Sequence, residues 1–323
     1  MQDLTPDRKA KRIDDTLPRL RELLTECGLC GHRCGVNRVE NVPGFCRTAS
    51  SDLDHVRCSS YNLHFGEEPI LVGRGGSGTV FFTHCNLRCV FCQNHQISQE
   101  GMGADVSHEA LSRWFLELQA RGAENINLVT PTHYIYPILL ALRDAYADGL
   151  DLPLVYNTNG YDSVELLALL DGIVDVYLPD MKYMDAAHGS KYSSAKDYPA
   201  VAKPALLEMY RQVGAVKTVS GVVRKGVIIR HLILPNGLAG SYDFLLWLKD
   251  EGLLDVTLSL MSQYSPQHRA YEFAELNARL SRKEYKEIVT YAIELGFENL
   301  LMQGLDSADL FLPDFEKQEP FGR

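Results

Sequence analysis

The chain has 323 residues, with 32 Lys and Arg against 42 Asp and Glu, so its formal charge is −10. This acidic balance argues against binding nucleic acid through charge, because proteins that do so carry a basic stripe. A chain of this length buries a core without covalent cross-links. The eight cysteines are therefore not needed for stability, and their positions become informative.

The sequence predicts a cytoplasmic protein that does not enter a membrane. No stretch approaches the roughly 18 consecutive apolar residues that cross a bilayer. The charged segment from Met1 to Arg12 lacks the apolar centre of a secretory signal. Thiols stay reduced in the cytosol, so clustered cysteines there indicate metal ligands or catalytic groups.

The first cysteine group consists of Cys27, Cys30, Cys34 and Cys46, four thiols within 20 residues. Four thiolates form a closed ligand set, which suits a structural zinc ion or a second iron-sulfur cluster. Zinc is the favoured interpretation and would indicate a scaffold or docking role, whereas a cluster would indicate electron relay. Four free thiols remain the alternative without a metal. Cys58 stands alone and is predicted to be an ordinary buried thiol.

Charge and composition divide the chain in two. Residues 1–60 hold ten Lys or Arg and nine Asp or Glu, a balance of +1, so the remainder carries −11. Several glycines interrupt the segment from Asn62 to Gly78. We therefore predict an N-terminal Cys-rich module over 1–70 and a larger domain over 71–323.

The larger domain alternates short apolar runs with helical patterns. Helix N-caps are predicted at Ser107, Ser163 and Ser281, the last within a Ser-Arg-Lys-Glu capping box. Seven runs read as buried parallel strands: Thr79–Thr83, Ile126–Thr130, Leu154–Asn157, Val174–Leu178, Val227–Leu234, Asp255–Leu260 and Asn299–Gln303. This alternation predicts an α/β fold with a barrel or partial barrel, or alternatively an open doubly wound sheet.

Polar residues follow five of these strands. Active sites of α/β barrels lie at the C-terminal ends of the strands, so the five clusters predict a site at that edge of the sheet. They are His84-Cys85, Thr130-Pro-Thr132-His133, Asn157-Thr-Asn159-Gly160, Pro179-Asp180-Met-Lys182 and Met261-Ser-Gln-Tyr264.

The second cysteine group follows the first of these strands as Cys85-x3-Cys89-x2-Cys92. Three thiolates in one loop can hold three corners of a cubane cluster and leave the fourth iron open, unlike the usual four-cysteine site. A zinc site completed by His84 or His95 is the alternative.

This loop, with Phe91 before its last cysteine, resembles the signature of the radical S-adenosylmethionine (radical SAM) superfamily. The resemblance implies a partial (β/α)6 TIM-like barrel, a 4Fe-4S cluster at Cys85, Cys89 and Cys92, and S-adenosylmethionine (SAM) as cofactor. It also implies an electron donor such as flavodoxin or ferredoxin.

Further stretches resemble the branch of the pyruvate formate-lyase activating enzymes. They are Gly76-Ser-Gly-Thr-Val-Phe-Phe82, Gln93-Asn94, Asn157-Thr-Asn-Gly-Tyr161, Val176-Tyr-Leu-Pro-Asp-Met-Lys182 and Arg230-His-Leu-Ile-Leu-Pro235. The first cysteine group resembles the N-terminus of an uncharacterised group within this branch.

The resemblance also implies cofactor contacts. Phe91 would lie near the adenine of SAM. Thr130 and Thr132 stand where the family has a Gly-Gly-Glu stretch that contacts the SAM amino group. The remaining implied contacts with SAM or its pocket are Asn157, Asn159, Asp180, Lys182 and His231.

The leading hypothesis is an enzyme that cleaves SAM reductively and abstracts a hydrogen atom from its substrate. By resemblance the substrate is a backbone glycine of a partner enzyme, while another protein, a peptide or a small molecule stays open. One alternative is a zinc-stabilised binding or regulatory protein on a barrel scaffold. Another is a radical SAM methyltransferase.

Overall fold

A computed structural model describes residues 5–48, 52–304 and 313–315, together with 317 and 320. Its helices are α1 (Pro6–Thr25), α2 (Pro69–Val72), α3 (His95–Ser98), α4 (His108–Ala120), α5 (Ile135–Ala147), α6 (Val164–Leu169), α7 (Ala186–Ser193), α8 (Tyr198–Val213), α9 (Ser241–Asp250) and α10 (Arg282–Leu295). Its strands are β1 (His55–His64), β2 (Ser77–Phe82), β3 (Ala104–Ser107), β4 (Ile126–Val129), β5 (Leu154–Thr158), β6 (Val176–Pro179), β7 (Lys217–Val219), β8 (Val222–Leu232), β9 (Thr257–Met261) and β10 (Leu300–Met302).

Within the described residues these strands form one sheet in the order β10-β9-β8-β6-β5-β4-β2-β1-β3, with β7 paired to β8. The pairs from β2 through β4, β5, β6, β8 and β9 to β10 are all parallel. These parallel strands correspond to the seven predicted ones, which confirms the predicted α/β fold. Their apolar runs arise because helices cover one face and the strands curve around an interior on the other.

The three predicted capping residues start helices as expected. Ser107 and Ser163 each accept a hydrogen bond from a backbone N–H in the first turn of α4 and α6. Ser281 and Glu284 form the complete capping box of α10, which ends at Gly296 in the left-handed conformation. These side chains satisfy N–H groups that a helix start leaves without backbone partners.

The N-terminal third supplies elements that the periodicity did not predict. Strand β1 pairs antiparallel with both β2 and β3, so it covers the edge of β2. Helix α1 packs on α5 and α6, and its Ile13, Leu20 and Leu24 belong to the same hydrophobic cluster as the barrel core. The division near residue 70 stays a prediction, but both sides of it contribute to one core.

Among the described residues, no helix is both long enough and apolar enough to cross a membrane.

Candidate active site

The second cysteine group occupies the loop that follows β2. His84 turns the chain out of the sheet with a left-handed φ of 68°, and its N–H donates to Ile97 O at 2.9 Å. The loop is then fixed to the end of α7, because Arg88 N donates to Ser193 O at 3.1 Å. A cysteine loop held at both ends presents its thiols in a defined arrangement.

Each thiol of this group has a polar neighbour. Ser193 Oγ donates to Cys89 Sγ at 3.0 Å, and Cys92 Sγ shares a 3.3 Å hydrogen bond with Ser98 Oγ. The backbone N–H of Leu87 donates to Cys85 Sγ at 3.3 Å. Hydrogen bonds to cluster sulfurs are among the features that set the potential of an iron-sulfur centre.

The electrostatics of the three thiols fit a metal cluster. Burial, followed by the charge of Cys89, raises the pKa of Cys85. The same two causes raise the pKa of Cys92 to about 11. Neighbouring thiolates repel each other, so they need a compensating positive charge. Iron supplies that charge when the ligands deprotonate. Cys85, Cys89 and Cys92 are therefore the residues that would hold a cluster.

A cavity of about 500 Å³ opens beside this loop. Gln93 and Asn94, which directly follow Cys92, form part of its wall. Phe81 on β2 and Leu301 on β10 also line it, although these strands stand at opposite ends of the parallel array. The sheet therefore curves around an interior, as in the expected partial barrel.

Arg230 and Glu67 line one side of this cavity, and Asp180 and Lys182 belong to the same charge network without being part of the described wall. Arg230 on β8 donates to Asp180 Oδ1 at 3.2 Å and to Glu67 Oε2 at 3.1 Å, and also to Asn157 Oδ1. Lys182 Nζ lies 2.7 Å from Asp180 Oδ2. Two cations thus bind the Asp180 carboxylate from different sides.

The pKa shifts follow from this arrangement. Burial alone would raise the pKa of Asp180, but Lys182 and Arg230 hold it below its usual value. Burial alone would lower the pKa of Lys182, but Asp180 and the thiolates of Cys89 and Cys92 raise it. The Lys182 ammonium therefore carries its charge next to the cysteine loop.

Glu68 adds a further carboxyl group to the cavity wall. It is 7% exposed, and burial raises its pKa above the usual range. Its Oε2 atom has no hydrogen-bond partner within the described residues. The sequence marks the segment that contains Glu67 and Glu68 only as the boundary between the N-terminal module and the larger domain. No motif in it indicates a site.

Two of the predicted cofactor contacts lie elsewhere. His231 is fully buried, and its ring nitrogens bond Met181 O at 2.7 Å and Ser241 Oγ at 2.8 Å. Side chains alternate along a strand, so Arg230 faces the cavity and His231 faces the helices. Thr132 is likewise buried, and it donates to Asp162 Oδ1 at 2.7 Å. His231 and Thr132 therefore do not line this cavity, and their contacts with SAM stay predictions.

The other predicted contacts are divided between the cavity and the cysteine loop. Asn157 lines the cavity. Asn159 instead faces the loop, where its amide donates to Cys85 Sγ at 3.4 Å. Phe91 is buried edge-on against Tyr264, with ring centroids 5.7 Å apart. Thr130 is half-buried with a φ of 56° at the strand end, and its contact with SAM stays a prediction.

The structure brings the first cysteine group together beside the barrel. Charges on Cys34 and Cys46 both act on Cys27, whose pKa burial raises to about 11. Cys30 forms an isolated β-bridge with Asp162, which follows β5. Arg38 is buried and donates to Cys46 Sγ at 3.4 Å. The four predicted ligands are thus neighbours, and a buried guanidinium accompanies them.

Comparisons with known proteins show which families the chain is similar to. The sequence model of a family described as the Radical SAM superfamily matches residues 79–192, from β2 to α7. The chain is 32% identical over 292 residues to the uncharacterized protein MJ0674 of Methanocaldococcus jannaschii, a match that covers 88% of this chain and 79% of the relative.

Two solved structures are similar to this chain over part of its length. Methylornithine synthase (PylB) superimposes with a TM-score of 0.43 and 16% identity over 68% of this chain and 61% of its own. HydG, a maturase of the FeFe-hydrogenase, gives a TM-score of 0.44 and 13% identity over 68% of this chain and 48% of its own. The match therefore spans less than two thirds of either solved chain.

Proposed function

The chain belongs to the radical SAM superfamily and to the family of its archaeal relative, and from this premise we propose that it generates a substrate radical by reductive cleavage of SAM. The superfamily implies a 4Fe-4S cluster and SAM as cofactors. One observation carries the proposal: the loop of Cys85, Cys89 and Cys92 borders the large cavity directly through Gln93 and Asn94. Cofactor and substrate can therefore meet beside the cysteine loop.

The chain's own residues have distinct proposed roles in this reaction. Cys85, Cys89 and Cys92 hold the cluster, and Lys182 supplies positive charge beside it. Asn157 and Asp180, held in place by Arg230, offer oxygen atoms to the polar groups of SAM. When bound, the cluster would supply one electron and SAM would supply the radical chemistry.

The substrate we propose is a peptide segment of a partner protein, as the resemblance to the activating enzymes implies. The cavity supports this because its wall offers amides and charged groups that suit a peptide backbone. A small polar molecule is the competing occupant of the same space. Formation of an organic radical on a partner protein captured under anaerobic conditions would favour the peptide.

The test of the reaction itself is anaerobic reconstitution with iron and sulfide, followed by incubation with SAM and dithionite. We expect 5′-deoxyadenosine and methionine from the wild type and neither from C85A/C89A/C92A. C58A is the matched control, because Cys58 is buried in β1 and belongs to neither cysteine group. Formation of S-adenosylhomocysteine with a methylated product would indicate a methyltransferase instead.

A further inference from the structure

We propose that Cys27, Cys30, Cys34 and Cys46 hold a second iron-sulfur cluster, and that Asn86 lies between it and the cluster at Cys85, Cys89 and Cys92. This inference rests on the proposed function, because the second cluster would serve as the entry point for the electron that SAM cleavage consumes. Four features of the structure support it, namely the spacing of the sulfurs, a buried cation, a shared asparagine and the docking of the two loops.

The first feature is the spacing of the sulfur atoms. A tetrahedral zinc ion with bonds of about 2.3 Å would hold its four sulfurs roughly 3.8 Å apart. In the described part of the chain, no cysteine belongs to a set of three or more His, Cys, Asp or Glu ligand atoms lying within 4.8 Å of one another. Both cysteine groups therefore have sulfurs spread more widely than one zinc ion requires, as a multi-iron cluster would spread them.

The second feature is the buried guanidinium of Arg38. This residue is only 8% exposed, and it donates to Cys46 Sγ at 3.4 Å and to His133 O at 3.2 Å. A buried cation is costly unless an anion accompanies it. Neutral thiols would not supply that anion, whereas metal-bound thiolates would. Arg38 therefore argues against four free thiols.

The third feature is Asn86, whose side chain lies next to a thiol of each group. Cys85 Sγ lies 3.8 Å from Asn86 Oδ1. Burial raises the pKa of Cys30, whereas the nearby Asn86 side chain acts to lower it. Asn159 closes the arrangement, donating to Asn86 Oδ1 at 2.6 Å and to Cys85 Sγ at 3.4 Å. Cys46 and Cys85 also line one small cavity together. One buried amide thus connects the two ligand sets.

The fourth feature is the way the first loop docks on the second. His32 Nε2 bonds Asn86 O at 2.8 Å, and Arg88 donates to Phe45 O at 3.0 Å. The ring of Phe45 lies between them, 3.7 Å from the His32 ring and 4.0 Å from the Arg88 guanidinium. Such reciprocal contacts fix the distance between the two groups, which rapid electron transfer requires.

Exposure gives the direction of transfer. Cys34 is exposed, whereas Cys85 is half-buried, so the first group is the one a protein donor can approach. A one-electron donor of the flavin or iron-sulfur class loses one electron, and the first cluster gains it. The first cluster then returns to its oxidised state as the same electron moves to the second. No covalent bond forms or breaks, and no proton moves.

The experiment is anaerobic reconstitution of the full chain, followed by iron, sulfide and zinc analysis and by electron paramagnetic resonance of the reduced protein. We expect about eight irons in the wild type and in C58A, and about four in both C30A/C46A and C85A/C89A/C92A. The reduced wild type should show a signal broadened by interaction of two centres. Each group variant should show a single unbroadened signal.

Asn86 supplies a second readout. We expect N86A to keep its iron but to take electrons from a protein donor several-fold more slowly at the second cluster. One zinc with about four irons in the wild type, or two reduced signals without interaction, would overturn the proposal. If the wild type cleaves SAM but C30A/C46A loses no iron, the second cluster is refuted and the proposed function is not. If the wild type holds both clusters but does not cleave SAM, the proposed function is refuted and the second cluster is not.

Discussion

Arg230 on β8 donates a 3.2 Å hydrogen bond from its Nε to Oδ1 of Asp180, the residue that follows β6. The same guanidinium bonds Glu67 at 3.1 Å. These three side chains are between 9% and 18% exposed, so water contributes little to solvating their charges. The guanidinium therefore pairs with two carboxylates from separate parts of the chain and ties the β1–α2 segment to the centre of the sheet.

Removing this cation should destabilise the fold. We expect R230Q to lower the free energy of unfolding by about 3–5 kcal/mol, because it leaves Glu67 without a cation in a buried setting. Urea denaturation followed by circular dichroism measures the change. R230K should recover part of the loss, since an ammonium keeps the charge but not the forked geometry.

The matched control is R211Q. Arg211 forms ion pairs with Glu208 and Asp171, but its side chain is 57% exposed, and exposed pairs contribute about 0–1 kcal/mol. Equal effects of R230Q and R211Q would contradict the interpretation of a buried charge centre.

Lys182 should tune the potential of the cluster beside it. Burial raises the pKa of Cys85 and Cys92, and the positive charge of Lys182 opposes that rise, so it favours extra negative charge on the cluster ligands. We therefore expect K182M to make the midpoint potential more negative, by an amount on the order of tens of millivolts. A redox titration followed by electron paramagnetic resonance measures the shift. K283M, at an exposed position of α10, should leave the potential unchanged, and a shift toward positive values in K182M would refute this role.

Gly31 should be essential for docking the first cysteine group. A Cβ atom at this position would lie 2.4 Å from the Tyr161 ring, while Gly31 N donates to Tyr161 O at 3.1 Å. We expect G31A to cost about 1–3 kcal/mol through overpacking and to reduce metal retained by the first group. G28A is the control in the same loop, because its Cβ would lie 3.3 Å from the flexible tip of Leu23 and at an ordinary contact distance of 3.9 Å from Glu26 O. Equal metal content in both variants would contradict the docking role.

His231 should make stability depend on pH. Burial lowers its pKa from 6.5 to about 4 in the folded protein, so the unfolded chain binds more protons between these values. Stability should therefore fall as the pH drops from about 6.5 to about 4, by up to about 3 kcal/mol. H231Q keeps a hydrogen-bonding side chain and should lose this component. The measurement is the difference in unfolding free energy between wild type and H231Q at each pH, and a difference independent of pH would refute it.

The seven parallel strands could be predicted because each is a short apolar run between turn residues. Strand β1 could not, since most of its side chains are only half-buried and no clear alternation marks it. Helix α1 does carry a signal, because Ile13, Leu17, Leu20 and Leu24 recur at helical spacing and are all buried. The surrounding charges of this segment obscured that stripe.

At the site, the spacing of the cysteines predicts that they are ligands, and this stays a prediction, whereas the cavity wall could not be predicted from the sequence. Arg230 and His231 are adjacent in sequence, and only the pleat of β8 decides which one faces the interior. Glu67 and Glu68 approach the cavity from a segment distant in sequence, so local pattern carries no information about their position. Long-range placement of this kind becomes visible only when the sheet is assembled.

The pairing of β1 with β2 has a practical consequence for anyone who shortens this chain. Cutting near residue 70 would remove β1 and expose the backbone N–H and C=O groups along one side of β2. An unprotected strand edge recruits other chains and promotes aggregation. Loss of α1 would also uncover apolar side chains of α5 and α6. A shortened barrel is therefore expected to accumulate as insoluble material, even though it would retain Cys85, Cys89 and Cys92.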